Sequence, residues 1–254
     1  MPTDKNTAKI AAMREGGAVL AQIRNQLAAE TKIGSTFAEI EANAQRLIKK
    51  ADMKPSFSTV PGYSWATCIM KNSEMCHGIP TRHKRVDDGD IITIDVGLIN
   101  KGFHLDTTIT FPVGQITPQV QDFLNVGKKA LKKAISRVKD GASVYDISYA
   151  MQHTVEKAGF DAVTQLTGHG VGEQLHMQPS IPCVALRNDK KVILKAGMTI
   201  AVEIMYSTGS AQLTVDRDGW TYKTIDGSLA AMYEDTVLVT ETGFEVLTTP
   251  STVE

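Results

Sequence analysis

The sequence predicts an α+β fold made of two related halves, because its helical segments occur twice and its strand segments repeat with them. Residues 17–53 and 127–160 resemble each other, since each contains a helix, a glycine-bearing turn and a second helix. Thr36 and Ser143 precede the second helices, where their hydroxyls can cap N–H groups that lack a helical partner. The expected halves are about 1–115 and 116–254, within one domain spanning residues 1–254.

The strand segments predict paired strands that carry carboxylates at or near the end of an apolar run. Residues 91–96 are rich in β-branched side chains and indicate a buried strand. After a turn at 100–102, residues 103–111 return as a second strand. In the second half, residues 195–204 repeat the pattern of a glycine, an apolar run and a carboxylate, and residues 231–240 form a further strand pattern.

Four carboxylates and one imidazole lie in or beside these strands, and the set has the chemistry of a site for two divalent cations. Its members are Asp95, Asp106, His169, Glu203 and Glu234. Carboxylate oxygens bind hard or borderline cations and can bridge two of them. Four negative charges balance two dications, which activate water near neutral pH. Co, Mn, Fe or Zn would all suit these donors, so the metal stays open. For either aspartate alone, a turn or edge position is the alternative.

The histidines divide by their surroundings. His169 lies between glycines, which predicts a close approach of the backbone to a ligand. His77 and His176 also lie in short polar, glycine-containing segments and join His169 as candidate site residues. The others are assigned elsewhere: His83 to an exposed loop, His104 to the face away from Asp106, and His153 to a structural role in a helix.

Composition narrows the class of protein. The 254 residues are 42% hydrophobic and carry a formal net charge of −1, so the overall balance predicts no membrane and no specific nucleic-acid partner. Three cysteines lack zinc-site spacing, and the first ten residues lack an apolar signal, which indicates a reducing cytoplasm. The run of Lys128, Lys129, Lys132, Lys133 and Arg137 is interpreted as a solvated helix face, with RNA or transient ribosome contact as the alternative.

Four motifs, in this order, resemble those of type I methionine aminopeptidases over nearly the whole chain. They are NSEMCHGIP, IDVGLINKGFHLDT, TGHGVGEQLHMQP and DGWTYKTIDGSLAAMYEDTVLVT. The resemblance implies the pita-bread fold, in which two pseudo-symmetric α+β halves with outer helices surround a curved antiparallel sheet. It also implies the same five metal ligands, with Asp106 and Glu234 at the bridging positions.

The resemblance further implies removal of the N-terminal methionine from nascent proteins whose second residue is small, by a bacterial-type enzyme expected to be a monomer. His77 and His176 match histidines that contact the scissile peptide and its oxyanion, and Glu203 is the expected proton shuttle. An apolar pocket must hold the methionine side chain. Its candidates, each with a core position as the alternative, are Tyr63, Cys68, Leu175 and Trp220.

The chain departs from the family pattern at five positions. Ile204 stands where the family usually has Pro, Met232 where it has Gln, and Asp235 where it has His. Leu175 stands where the family usually has Phe, and Gly97 where many members have Thr. None removes a metal ligand. Asp235 is more typical of Xaa-Pro aminopeptidases of the same fold, which stay open as an alternative function. A catalytically weak paralogue that acts as a binding protein is the other alternative.

Overall fold

The computed structural model describes residues 4–250, within which the backbone forms four α-helices and thirteen strands. The helices are α1 (Asp4–Glu30), α2 (Phe37–Lys50), α3 (Pro118–Ile135) and α4 (Val144–Glu156). The strands are β1 (Lys54–Pro55), β2 (Thr67–Lys71), β3 (Glu74–Cys76), β4 (Ile91–Asn100), β5 (Phe103–Pro112), β6 (Asp161–Ala162), β7 (Thr167–Gly170), β8 (Met177–Pro182), β9 (Thr199–Ser207), β10 (Leu213–Val215), β11 (Tyr222–Thr224), β12 (Ala230–Val239) and β13 (Phe244–Val246). No helix in this range is both long and apolar enough to span a membrane.

The two helix pairs begin as the sequence predicts. Thr36 accepts a hydrogen bond from the Glu39 amide, and the Glu39 side chain accepts one from the Thr36 amide, which completes a capping box. Ser143 and Asp146 form the same box at the start of α4. These boxes satisfy amides that have no partner within the helix, so α2 and α4 start at matching points of the repeat.

A ten-stranded antiparallel sheet carries the helices on one side. Its main path runs β1-β4-β5-β12-β9-β7-β8, with β2 on β4, β13 on β12 and β6 on β9. Helix α1 packs against β4 and β5, while α3 packs against β9 and β12. One apolar core lies largely under α1 and α2 and another under α3 and α4. The predicted α+β class is confirmed, with the helices outside and the central strands β5 and β12 between the two cores.

The β4–β5 hairpin sets the register of the first half. Lys101 and Gly102 connect the strands with φ of 50° and 89°, the left-handed values that a tight two-residue hairpin requires. Asn100 therefore pairs with Phe103, and the ladder continues to Ile91 and Pro112. A shift of one residue would turn every side chain to the opposite face.

Threonine hydroxyls reinforce the seam between β5 and β12. Regular pairing joins Thr108 to Glu234 and Thr107 to Asp235. Elsewhere Thr236 donates its hydroxyl to the Asp106 carbonyl at 2.8 Å and accepts the Asp106 amide at 3.1 Å. Thr110 makes the equivalent pair of bonds to Met232, at 2.7 and 3.0 Å. These side chains take the place of peptide groups and hold the two halves in one register.

A charged pair ties α1 to the same seam. The Arg24 guanidinium donates to Asp235 at 3.0 Å and to the Thr107 hydroxyl at 2.6 Å. Thr107 in turn donates to the Glu234 carbonyl, and Thr248 donates to Asp235. Both charged side chains are largely buried, with 13% and 19% exposed. Asp235, which departs from the family pattern, is therefore matched by a cation on the helix side of the sheet.

We expect Arg24→Met to lower the free energy of unfolding by about 3 kcal/mol, because it leaves the Asp235 carboxylate buried without its cation. Arg14→Met on the same helix is the control, since the Arg14–Glu245 pair is 54% and 37% exposed. Exposed pairs contribute about 0–1 kcal/mol. Urea unfolding of the metal-stripped protein measures both variants, and equal losses would contradict the assigned role of Arg24.

Candidate metal centre

Four neighbouring strands bring the four predicted carboxylates together. Asp95 on β4 lies opposite Thr108 on β5, Thr108 lies opposite Glu234 on β12, and Glu234 lies opposite Glu203 on β9. Asp106 is two residues from Thr108 on β5, so alternation places it on the same face. The carboxylates thus form a row across the sheet, on the face away from the helices. Each exposes 5% or less of its surface.

His169 reaches this row from β7, which pairs with both β8 and β9. Its Nδ1 lies 3.0 Å from the Gly170 carbonyl oxygen, which fixes the proton on Nδ1 and leaves the Nε2 lone pair free. Nε2 lies 4.0 Å from Asp106 Oδ2. This orientation is typical of metal-ligating histidines, whose second nitrogen donates to a carbonyl or carboxylate.

The glycines beside His169 admit neighbouring strands rather than a ligand. A Cβ on Gly168 would lie 2.5 Å from the Ala201 carbonyl oxygen, and one on Gly170 would lie 2.3 Å from that of Gln178. These glycines do allow a close approach of the backbone, as predicted. The group that approaches is a neighbouring strand and not the predicted ligand. They allow β7 to pack between β8 and β9, and this packing delivers the imidazole to the carboxylates.

The donor atoms fit divalent cations. One ligand atom from each of Asp106, His169 and Glu234 lies within 4.8 Å of the other two. Asp106 Oδ1 and Glu234 Oε1 are buried and have no hydrogen-bond partner among residues 4–250. The Thr108 hydroxyl lies 2.9 Å from Asp95 Oδ1 and 2.8 Å from Glu234 Oε2, yet it has one proton to donate. Buried carboxylate oxygens without donors are costly, and cations at this site would remove that cost.

In the metal-free protein, burial changes the protonation of these carboxylates and of His169. It raises the pKa of Asp95 to about 6 and that of Glu203 to about 8. Burial, reinforced by the neighbouring carboxylates, also raises the pKa values of Asp106 and Glu234 well above the usual range. Burial and the adjacent His176 lower the pKa of His169 to about 4, so its imidazole is neutral at pH 7 and available as a ligand.

All of the predicted site residues line one cavity of about 320 Å³. Besides the five candidate ligands, these are His77, His176, Tyr63, Cys68, Leu175 and Trp220. The His176 ring packs edge-on against His169, with centroids 4.5 Å apart. His77 follows β3 with φ of 55°, a left-handed conformation that is uncommon for a residue with a side chain. Burial lowers the pKa of both His77 and His176, which favours their neutral forms.

One end of the cavity is apolar. The Tyr63 ring packs edge-on against Trp220, with centroids 5.1 Å apart, while Cys68 and Leu175 belong to the same buried cluster. The Tyr63 hydroxyl donates to the Thr67 carbonyl at 2.9 Å and faces the wall rather than the cavity centre. This end offers ring faces and a sulfur atom to an occupant, without a charged group.

The sequence missed several residues that line the cavity. They are Phe57, Val60, Cys76, Gln165, Leu166, Thr167 and Met205. Met232, one of the departures from the family pattern, lines the cavity as well. Met205 and Met232 are two residues from Glu203 and Glu234 along their strands, so alternation alone places them on the same face. The remaining residues come from loops, strand ends and the short 3-10 helix Phe57–Thr59, where no periodicity identifies the inward side.

The departures from the family pattern divide between the two faces of the sheet. Leu175 and Met232 line the cavity, whereas Ile204 belongs to the core under α3 and α4. Asp235 binds Arg24 on the helix side. At Gly97 a Cβ would lie 2.6 Å from Phe57 Cε1, so this glycine makes room for a ring that lines the cavity.

Two other histidines also differ from their predicted places. His104 lies two residues before Asp106, so it shares the Asp106 face, where Ser56 Oγ lies 2.8 Å from its Nδ1. The expectation that it faces away was wrong, because a two-residue step along a strand preserves the face. His153, predicted to be structural, is exposed on α4.

Comparisons with known proteins identify the family of this chain. Residues 11–241 match metallopeptidase family M24. The chain is 38% identical over 244 residues to methionine aminopeptidase 1 of Bacillus subtilis, covering 96% of this chain and 98% of the relative. It is 36% identical over 245 residues to methionine aminopeptidase of Escherichia coli K12, covering 96% and 92%. The chain therefore belongs to metallopeptidase family M24.

Solved structures show the same fold. Methionine aminopeptidase from Thermotoga maritima superposes with a TM-score of 0.93 and 36% identity, covering 97% of this chain and 98% of that one. Prolidase from Pyrococcus furiosus has a TM-score of 0.78 at 23% identity, and the match covers 99% of this chain but 66% of the prolidase. The second likeness concerns the fold alone. Together they confirm the predicted pita-bread fold.

We expect the stabilisation by bound metal to grow between about pH 4 and 8. The folded pKa values of the carboxylates lie above their unfolded values, so their protonated forms stabilise the metal-free fold at low pH. That stability is lost as the pH rises through the folded values of about 6 and 8, whereas bound cations neutralise the charges.

The difference in Tm between Mn²⁺-loaded and chelator-stripped protein, measured at intervals across this range, checks the expectation. Glu203→Gln should flatten its upper part, because that variant removes the group with a pKa of about 8. A difference independent of pH would contradict the assignment of these carboxylates as ligands.

Proposed function

We propose that this protein is a metal-dependent aminopeptidase that removes the N-terminal methionine from nascent proteins when the second residue is small. The observation that carries the proposal is one cavity in which the carboxylate–imidazole cluster borders an apolar end. The names of the relatives support methionine as the first residue. A thioether side chain suits the aromatic and sulfur-containing wall.

The proposed cofactor is a pair of divalent cations held by Asp95, Asp106, His169, Glu203 and Glu234. Asp106 and Glu234 are assigned as bridging ligands, and the buried oxygens without hydrogen-bond partners on both support this role. When bound, the ions lower the pKa of water and polarise the peptide carbonyl. Co, Mn, Fe and Zn all fit the donor set.

Three side chains are proposed to act on the peptide. Glu203 takes a proton from water and delivers it to the leaving amine, a role that suits a buried carboxylate lining the cavity beside the other candidate ligands. His176, neutral and beside His169, donates to the developing oxyanion. His77 holds the scissile peptide, and its left-handed backbone conformation supports a functional constraint at this position.

The apolar end is proposed as the methionine pocket, with Tyr63, Cys68, Leu175 and Trp220 as its walls. Met205 and Met232 join them from the strand side. The cavity volume of about 320 Å³ is at the low end for ligand pockets. The same cavity must hold both the methionine side chain and the second residue of the substrate. This small volume supports a steric filter against large side chains at the second position.

We propose that residues 1–254 form one catalytic domain with halves of about 1–115 and 116–254. The matched helix pairs and the central β5–β12 seam support this division. The protein is further proposed to act as a monomer on nascent N-termini in the cytoplasm. Three buried cysteines without disulfides are compatible with a reducing compartment.

The alternative Xaa-Pro specificity is not favoured. The residue that suggested it, Asp235, binds Arg24 on the helix side and does not line the cavity. The prolidase likeness, at 23% identity, reports the fold alone. The binding-protein alternative would be supported by missing ligands, yet all five candidates are present and lie around the same cavity.

A peptide panel tests the proposed function. We expect metal-loaded protein to cleave Met-Ala-Ser with kcat/KM at least about 100-fold above Met-Lys-Ser and about tenfold above Leu-Ala-Ser. Ala-Pro should be a poor substrate. Leu175→Phe narrows the pocket and should increase the preference for Met over Leu, whereas Ile204→Val, on the opposite face, should leave it unchanged. Comparable rates for Met-Ala-Ser and Met-Lys-Ser would refute the filter, and faster cleavage of Ala-Pro would favour the Xaa-Pro alternative.

A further inference from the structure

An open groove of about 480 Å³ lies on the outer side of the α3–α4 pair. Three cationic side chains, Lys133, Arg137 and Lys139, line it together with Tyr149 and His153 of α4. None of these residues lines the catalytic cavity. The helices lie behind the sheet, so the groove and the carboxylate row occupy opposite sides of the second half.

The net charge of −1 conceals a strong separation of charge. Residues 118–157 and 187–195 carry eleven basic and five acidic side chains, a surplus of six positive charges. The rest of the chain therefore carries a surplus of seven negative charges. The two segments adjoin, since Ser143 bridges to Ile193 and the Lys190 ammonium lies 4.6 Å from the centre of the Tyr145 ring. The face around the groove is thus a positive patch on a chain whose other residues carry a net negative charge. Such a patch attracts polyanions.

These cations are not neutralised by the protein itself. The ion pairs found among residues 4–250 all lie outside both segments. Asp146, the acidic residue that lines the groove, accepts hydrogen bonds from the Ser143 hydroxyl and amide at the start of α4. Its charge is engaged there with the positive end of the helix.

A row of aromatic rings runs beside the cations. Tyr145, Tyr149 and His153 are spaced four residues apart on one face of α4. Adjacent ring planes lie within 10° of parallel, with centroids 6.0 and 5.6 Å apart. Lys190 covers the Tyr145 ring, whereas Tyr149 is 50% exposed and His153 is also exposed. Flat rings beside unpaired cations are the combination that single-stranded nucleic acids use, with bases on the rings and phosphates on the charges.

We propose that this groove binds single-stranded RNA. Lys133, Arg137 and Lys139 contact successive phosphates, and an unpaired base packs against the exposed end of the ring row formed by Tyr149 and His153. Parallel rings distinguish this surface from one built for an acidic peptide or an anionic membrane, which would need only the charges. Paired bases in a duplex would not present their faces to the rings. RNA bound here leaves the catalytic cavity open to a peptide.

Fluorescence anisotropy with a labelled twelve-nucleotide single-stranded RNA tests the proposal on the full chain between 50 and 200 mM salt. The triple variant Lys133→Gln, Arg137→Gln, Lys139→Gln should weaken binding at least about tenfold and reduce the log–log salt slope by about 2, for three lost phosphate contacts. Tyr149→Ala should weaken binding about tenfold without changing the slope.

The control is Arg46→Gln, Lys49→Gln, Lys50→Gln, which removes three exposed cations from α2, the matching helix of the first half. Its RNA affinity should stay within about twofold of the parent. Melting temperatures establish that every variant is folded. Equal losses in the two triple variants would overturn the proposal, as would an unchanged affinity in Tyr149→Ala. Equal affinity of the parent for polyglutamate or for phosphatidylserine vesicles would also overturn it.

Discussion

Four carboxylates buried in a row across one sheet are the constraint on which the rest of this structure depends. Asp95, Glu203 and Glu234 occupy aligned positions on β4, β9 and β12, and Asp106 lies two residues from the aligned position on β5. Their charges repel one another in a buried site, and the Thr108 hydroxyl cannot donate a hydrogen bond to two of them at once. A fold can keep such a row only if cations neutralise it or protons bind to it. The raised pKa values correspond to proton binding in the metal-free protein. The proposed metal pair corresponds to neutralisation by cations.

The arrangement also demands a fixed register between the two halves. The two candidate bridging ligands, Asp106 and Glu234, belong to different halves and meet across the β5–β12 seam. Threonine hydroxyls bond to the peptide groups of Asp106 and Met232, and the Arg24–Asp235 pair secures the seam from the helix side. A small slip between the strands would separate donor atoms that now lie within 4.8 Å. The polar side chains of the seam therefore support the site as well as the fold.

Much of this architecture follows from local sequence. Capping residues and alternation in the hairpin predict the helix starts and the shared face of Asp95 and Asp106, because both depend on neighbouring residues. The partner of Asp235 could not be predicted, since Arg24 is 211 residues away and becomes adjacent only through the packing of α1 on the sheet. The role of the glycines beside His169 could not be predicted either. A glycine in the sequence indicates that some group approaches the backbone closely, but it does not show whether that group is a ligand or a neighbouring strand. His153 was assigned a structural role in its helix, yet it is exposed and lies in the outer groove.

The two surfaces of the second half suit two proposed tasks that do not compete. The face away from the helices carries the candidate metal donors and the apolar end of the cavity, while the outer side of the helices carries cations and aromatic rings. A site for RNA on the outer helices would hold the enzyme near an RNA surface with the cavity directed elsewhere. Either proposal can fail without affecting the other, since they share no residue.

The number of ions bound by this site is the most direct test of the central claim. Equilibrium titration with Mn²⁺ or Co²⁺, followed by metal analysis, should give two ions per chain, and fewer than two for Asp106→Asn or Glu234→Gln with the circular dichroism spectrum retained. Asp90→Asn is the control, because Asp90 is also a buried aspartate but binds Lys71 and Asn72 away from the cavity. It should keep both ions. Two ions retained at full affinity in both bridging variants, or a single ion in the parent protein under saturating metal, would contradict the proposed two-ion site.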